Sequence, residues 1–395
     1  MKRTLQIGAL AGAAALVLAG CSSSPAPASS PSGDASAEAS APGGPRVALG
    51  YEGGVLVLGG DDDLEVLGDF ASEDFIRLNT AGDDRHVMVT TSAGFQLLDV
   101  RQPELTDLVV PAATAGHVVV HGGKTVLYDD ATSDTTIFAT DDLAELSGAL
   151  PDAEVIPGVT AHHGVSVELE DGTLLTTVGG ESGRTGIRVL DADRTEIAAN
   201  AECPAVHGEG TAQGERVVFG CENGALIYDG GEITKVASPD AYGRIGNAYV
   251  SEKSPLVVMD YKDDPDAEGY LLRNIALVDT AAKSLTKVAL PAGVEYTFRG
   301  IARGPAAEAV LIGTDGSLHW IDPATGAVTK SLPVIDPWEG PAEWQAPHPA
   351  VKVAGDLAYV TDPADSELVV VDLTTGEIAQ TVTLPHVPNE IAAIA

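Results

Sequence analysis

From residue 46 onward the apolar positions come in short bursts rich in Val, Leu, Ile and Ala, many of them alternating with polar residues and each cut off by Gly, Asp or Pro. Alternation at a period of two marks a strand with one face toward a core, and no long stretch repeats at the helical period of 3.6. The bursts pair into hairpins that resemble one another. The best internal match sets SLHWIDPATGAVTKSLP, from Ser317, against ELVVVDLTTGEIAQTVTLP, from Glu367. Weaker copies are GFQLLDVRQPELTDLVVP, GIRVLDADRTEIAANAECP, GALIYDGGEITKVASP and NIALVDTAAKSLTKVALP, with more divergent ones at residues 55–70 and 135–151. Asp99, Asp191, Asp229, Asp279, Asp322 and Asp372 end the first strand of six of these hairpins, and Gly59 and Thr140 stand at that place in the other two.

The markers recur at spacings from 38 residues (191 to 229) to 51 residues (140 to 191), the length of a four-stranded propeller blade. A second hairpin usually precedes the marked one, as in AHHGVSVE and TLLTTVGG about Asp171-Gly172, or HPAVKVA and LAYVTDP about Gly355-Asp356. Each unit therefore reads as four antiparallel strands whose faces are covered only when the units are set around an axis. The chain begins with three strands that lack an inner one (PRVALGYEGG, GVLVLGG, LEVLGDF) and ends with a lone strand, NEIAAIA. The expectation is an all-β fold: a single β-propeller over residues 46–395 with eight four-stranded blades, seven being the alternative count. The C-terminal strand closes the ring by joining the N-terminal blade.

The first residues follow another pattern. Lys2 and Arg3 precede an apolar run at 5–17, and Leu18-Ala19-Gly20 lead into Cys21. This resembles a bacterial lipoprotein signal: residues 1–20 are expected to be removed and the thiol of Cys21 to carry the lipid, since the run is too short to cross a bilayer comfortably. Residues 22–45, small, polar and rich in Ser, Pro and Ala, bury too little surface to offset chain entropy and form a tether. The expected location is outside the cytoplasm, on the outer face of the cell membrane, held there by the lipid at Cys21. With that cysteine modified, Cys203 and Cys221 remain, and outside the cytoplasm such a pair forms a disulfide worth about 3 kcal/mol in the chain-entropy model; thiolate ligation of a metal is the competing reading.

Charge narrows the partners. The chain has 22 Lys and Arg against 58 Asp and Glu, a net charge of −36, and loss of residues 1–20 takes away two of the cations. Nucleic acid, whose affinity rests on cationic contacts to phosphate, is excluded as a partner, and a monomer with a solvated acidic surface is expected.

The candidate chemistry lies with the histidines. His207 is seven residues before Gly214 and His348 seven before Gly355, while His117 is six before Gly123 and His163 nine before Gly172, beside His162. In a propeller the first strand of each blade lines the channel, so these positions ring one of its mouths. Set about the Gln213-Gly214 turn, Cys221 faces His207, and Glu209 follows two residues later on the same side of the strand. The candidate metal ligands are His117, His162, His163, His207, Glu209 and His348. Zn²⁺ suits imidazole and carboxylate ligands, although copper and nickel also bind such sets. His121 points inward but deeper, as an auxiliary position; His86, His319 and His386 are read as structural. Trp338 and Trp344, just before His348, either cover that mouth or fill a gap between blades. No nucleophile elbow, zinc-protease helix or phosphate loop is present in the sequence.

The segments HVVVHGGKTVLYDD, AHHGVSVELEDGTLL, CPAVHGEGTAQGERVVFGC and AYVTDPADSELVVVDLTTGEIAQTVTLPHVPNEIA resemble the AztD-type zinc metallochaperones, exported β-propellers. AHHGV, and CPxxHGE followed by FGC, carry most of the specificity. The resemblance implies zinc binding outside the cytoplasm and its transfer to the solute-binding protein of a zinc ABC importer, without catalysis. It also implies ligand roles for His117, His162, His163, His207 and Glu209. Relatives often carry a His-rich N-terminal segment; residues 22–45 hold no histidine. The competing functions are a metal-dependent propeller hydrolase or lactonase, with Glu209 as its base, and a docking platform that binds no metal.

Overall fold

The computed structural model describes residues 43–60, 63–144, 146, 148–180 and 183–395. The signal sequence, Cys21 and residues 22–42 of the tether lie outside them. The strands form eight four-stranded antiparallel sheets, which is the propeller with the larger of the two blade counts. In chain order the second to eighth blades span 77–111, 115–156, 166–200, 207–237, 248–289, 301–333 and 351–383, and in each the strands lie side by side in the order of the sequence.

The first blade is the exception that closes the ring. Its order is Glu65–Ala71, Gly54–Gly59, Arg46–Tyr51 and then Ile391–Ile394, so its innermost strand comes from the other end of the chain. Four residue pairs fasten it, from Arg46 opposite Ile394 to Leu49 opposite Ile391. Successive side chains of a strand point to opposite faces, and here both faces are covered. Val47 and Leu49 pack with Tyr359 and Leu368 of the eighth blade, and Ala48, Val55 and Val57 pack with Val87 and Val89 of the second. Burial on both sides is why the middle strands read as nearly continuous apolar runs.

The aspartates of the repeats end the third strand of their blades or directly follow it. Asp99, Asp279 and Asp372 each turn Oδ1 back onto two backbone N–H groups of the hairpin loop, at 2.7–3.1 Å. A short carboxylate that accepts from its own loop holds the turn without any tertiary partner. That is the physical reason the marker recurs.

Two local departures from regular pairing shape the channel mouth. In the third blade, pairing of Ala115–His121 with the next strand skips between Ala115 and Val118; in the fifth, pairing of His207–Ala212 skips between His207 and Gly210. The second skip corrects the expected register: His207 stands opposite Gly220, not Cys221. Cys221 is bonded to Cys203, with the Cα atoms 4.9 Å apart, so the pair is a disulfide. Both cysteines lie in one buried cluster that also takes in Val119 and Val126 of the third blade, Val167 and Leu174 of the fourth and Val217 and Phe219 of the fifth.

Candidate metal centre

His117, His163 and His207 sit at the inner ends of three consecutive blades, the third, fourth and fifth. Their ring centroids form a nearly equilateral triangle with sides of 4.9, 5.0 and 5.1 Å. Two of them are placed by the pairing skips, because a β-bulge turns a side chain away from the direction that strict alternation gives it. His117 lies within the third-blade skip and His207 at the edge of the fifth-blade one. Gly208 makes the latter possible. Its φ is +64°, and a Cβ there would stand 2.6 Å from the Asn247 nitrogen and 2.7 Å from the Gly246 carbonyl. The HG pair of the CPxxHGE segment is thus a backbone requirement of the site.

Each imidazole is fixed through its Nδ1. His117 donates to the Gly164 carbonyl at 2.8 Å, His163 to Asp130 Oδ2 at 2.6 Å, and His207 to the Gly246 carbonyl. A carbonyl can only accept, and so can an ionised carboxylate, so all three Nδ1 atoms carry hydrogen, and in the neutral form of each ring Nε2 is left with the lone pair that can ligate a metal. Those of His163 and His207 are 3.0 Å apart, and the three ligand atoms lie within 4.8 Å of one another. At that distance the two nitrogens share either a proton or a metal ion. In a tetrahedral zinc site with Zn–N near 2.0–2.1 Å, neighbouring nitrogens are about 3.3 Å apart.

The electrostatics agree. Burial, then the neighbouring histidines and Arg77, hold His117 well below its ordinary value. Burial above all, with His163, Arg184 and Arg244, brings His207 down to about 3. Both are neutral at physiological pH, the form that ligates metal. His163 is the most exposed of the three, with 44% of its side chain accessible. Asp130, which orients it, reaches in over Gly116, where a Cβ would stand 2.3 Å from Asp130 Oδ1. The trio opens into a cavity of about 490 Å³, whose wall includes Phe298, Tyr270 and Trp344.

The remaining candidates lie elsewhere. His162 turns the other way from its neighbour: its ring meets Ser133 Oγ at 2.9 Å, the Thr160 carbonyl at 2.8 Å and Thr177 Oγ1 at 3.0 Å, in a separate polar pocket under Tyr128. Glu209 is not in the cluster, because the skip and the positive φ of Gly208 interrupt the alternation that would have aligned it with His207. Burial alone pushes its carboxyl up to about 7. His348 belongs to the eighth blade, three blades from His207 and three from His117 around the ring. It is buried against Phe298 and donates to the Ala346 carbonyl at 2.7 Å. Trp344 lines the mouth, while Trp338 donates to the Gly313 carbonyl at 2.7 Å. His121 lies in a different cavity with Glu170 and Glu252, its Nε2 2.6 Å from Glu215 Oε1.

Asp130 and the carbonyls of Gly164 and Gly246 were not singled out from the sequence. Asp130 follows Asp129 in a strand-end pair that looks like any other turn, and a carbonyl leaves no sequence signal. Asp260 is a further member at one remove: it accepts from the Gly246 and Asn247 nitrogens at 2.5 and 3.0 Å and so steadies the carbonyl that holds His207.

Comparison with known proteins bears on this geometry. No protein-family model matches the chain. It is 26% identical over 302 residues to the zinc chaperone AztD of Citrobacter koseri, a match that covers 75% of this chain and 69% of that protein. The structure of apo AztD from Citrobacter koseri superposes with a TM-score of 0.74 at 22% identity, covering 89% of this chain and 97% of that one. A dihydro-heme d1 dehydrogenase, NirN, has a TM-score of 0.57 at 13% identity over 88% of this chain and 74% of its own. The likeness to the solved structures is one of fold. The resemblance to AztD-type proteins holds in both sequence and architecture, and a likeness of architecture alone also reaches an enzyme, so the function must come from the site.

Proposed function

We propose that this homologue of the zinc chaperone AztD binds one zinc ion through Nε2 of His117, His163 and His207 and hands it to the solute-binding protein of a zinc ABC importer. One observation carries the reading: three imidazoles from consecutive blades, each locked through Nδ1–H, turn three lone pairs on one point. Partners on the outer nitrogens fix the tautomer and raise the basicity of the ligands. Three protein ligands leave a tetrahedral ion with one open position, and the cavity gives a partner's ligand a path to it. Exchange ligand by ligand then passes the ion on without releasing it. The closed ring keeps the ligands placed while the ion leaves, since each stands at the inner end of a blade packed between two neighbours.

Carriage is favoured over hydrolysis because the two carboxylates that brace the trio are engaged there and Glu209 stands outside the cluster. Asp130 holds His163 and the Gly164 nitrogen, and Asp260 holds the 246–247 backbone. Neither is free to take a proton from a zinc-bound water. In this reading residues 1–20 direct export, Cys21 carries the lipid, and the tether lets the ring reach its acceptor at the membrane surface. The test is metal content and transfer. The 46–395 ring, stripped and then offered equimolar zinc, should retain about one ion and lose it to a zinc-binding solute-binding protein faster than to buffer containing a chelator of equal affinity. A ring that holds no zinc, or variants His163→Ala and His207→Ala that hold it as tightly as the parent, would refute the reading.

A further inference from the structure

The ring of residues at this mouth continues past the three histidines. Arg77, at the start of the second blade, flanks His117, and Arg244, just before the sixth, flanks His207; both line the same cavity as the trio. Arg299, just before the seventh blade, is neutralised by Glu390 at 2.5 Å. Arg77 and Arg244 are not. Among the described residues neither guanidinium has a hydrogen bond or an ion pair, and the Nε of Arg77 is buried without a partner. Arg184 lies close enough to Arg244 for each charge to be felt by the other, and the Asp130 and Glu222 carboxylates act on it without an ion pair at contact distance.

In a chain with 58 acidic residues against 22 basic ones, half-buried arginines without an ion pair are conspicuous, because acids outnumber bases more than twofold. Beside a cation site they are more so. Each repels the incoming ion, and desolvating a guanidinium without an acceptor is unfavourable. Lys262 adds a third positive charge to the wall, with its Nζ 3.0 Å from the Ala267 carbonyl; Asp260 is the one acid among the lining residues, and although its charge is felt by Arg244, its oxygens accept from the Gly246 and Asn247 nitrogens and the Asn247 amide, not from the guanidinium. An anion entering the cavity would give Arg77 and Arg244 the acceptor they lack. Guanidinium forks match carboxylate oxygens in planar, paired hydrogen bonds, and a volume of about 490 Å³ admits a small organic acid.

We infer that Arg77 and Arg244 form a carboxylate-binding subsite at the metal centre, so that the ion is carried with a carboxylate oxygen as its fourth ligand and the arginines on the rest of the anion. The inference rests on the three-histidine centre holding a metal. The carboxylate comes either from a small dissolved acid or from an Asp or Glu side chain that the acceptor inserts as it takes the ion.

Cobalt(II) in place of zinc reports the fourth ligand through its visible absorption. The protein is loaded with cobalt and titrated with succinate, a weak chelator. The spectrum should shift saturably, and Arg77→Gln and Arg244→Gln, compared at equal cobalt loading, should require about tenfold more succinate or beyond. Cobalt that binds with a spectrum indifferent to succinate overturns the subsite and leaves the metal centre standing. Should cobalt not bind at all, the metal centre falls, and calorimetric titration of the metal-free protein with succinate decides the subsite alone: heat that disappears in both arginine variants supports it, and no heat overturns it. Metal transfer to a zinc-binding solute-binding protein then separates the sources. Saturating succinate that slows transfer assigns the subsite to the acceptor's carboxylate, and transfer at an unchanged rate assigns it to the dissolved acid.

Discussion

Replacing Asp130 by Asn tests whether the metal centre depends on how its histidines are held. Asp130 Oδ2 accepts from His163 Nδ1 at 2.6 Å, while Oδ1 accepts from the Gly164 nitrogen at 3.3 Å, and the side chain is only 17% exposed, so solvent screens this charge little. In the neutral ring the carboxylate keeps His163 in the tautomer with Nε2 bare and adds electron density to a ring that, in the proposed function, ligates a cation. Asn preserves the shape but removes the charge, and in one of its two orientations sets an N–H against the His163 N–H. Loss of such an outer partner costs roughly 10- to 100-fold in metal affinity, or about 1.4–2.7 kcal/mol. The assay is competition for zinc against a chromogenic chelator near neutral pH, with thermal unfolding of the metal-free protein as the check on the fold. His162→Ala serves as the control, because that ring is engaged by Ser133, Thr160 and Thr177 and should not alter affinity. Affinity within about twofold of the parent for Asp130→Asn, or a loss in His162→Ala equal to that in His163→Ala, would refute the reasoning.

Gly208→Ala should weaken zinc binding and lower stability together, by about 1 kcal/mol or more in stability. Its Cβ would press on the Gly246 carbonyl that holds His207, and chemical unfolding with zinc titration would read both effects. Glu209→Gln should leave zinc affinity unchanged, since the carboxylate is outside the cluster. Folded, Glu209 keeps its proton to about 7, whereas an unfolded Glu loses it near 4.5; the variant should therefore equal the parent in stability below about pH 4.5, gain on it up to about 7 and hold that gain above. For His207 the sign is opposite. Its value of about 3 lies under the unfolded 6.5, so the unfolded chain takes up a proton that the fold refuses, and metal-free protein should lose stability as pH falls from about 6.5 toward 3. Unfolding midpoints at several pH values should show a shallower loss for His207→Ala. Replacing both Cys203 and Cys221 by Ala should lower stability by about 3 kcal/mol, for a bond closing an 18-residue separation, as measured by denaturant unfolding with and without reductant.

Much of the architecture is local and so was legible in the chain. Alternation gives the strands, an Asp that caps its own loop gives the repeat, and an unpaired strand at each end gives the closure between Ile391–Ile394 and Arg46–Tyr51. The blade count followed from spacing, and the disulfide from two cysteines left over in a chain read as exported. The positions of His117, His163 and His207 before or at the start of inner strands were also readable, because offsets from a turn translate into height along the channel.

Which histidines meet was a matter for the tertiary structure. An equal offset from a turn does not bring side chains together, and His348, before the eighth blade, stands three blades from His117 and from His207 and packs on Phe298 instead. Strict alternation assigned Glu209 to the His207 side and Cys221 to a place opposite it; one skipped pair and a glycine at φ +64° reversed both. The groups that aim the imidazoles, Asp130 and the carbonyls of Gly164 and Gly246, come from other segments of the chain, up to 39 residues away for His207 and 47 for His117. A sequence specifies its strands through interactions between near neighbours, and it brings three lone pairs to one point only through contacts that exist once the ring has closed.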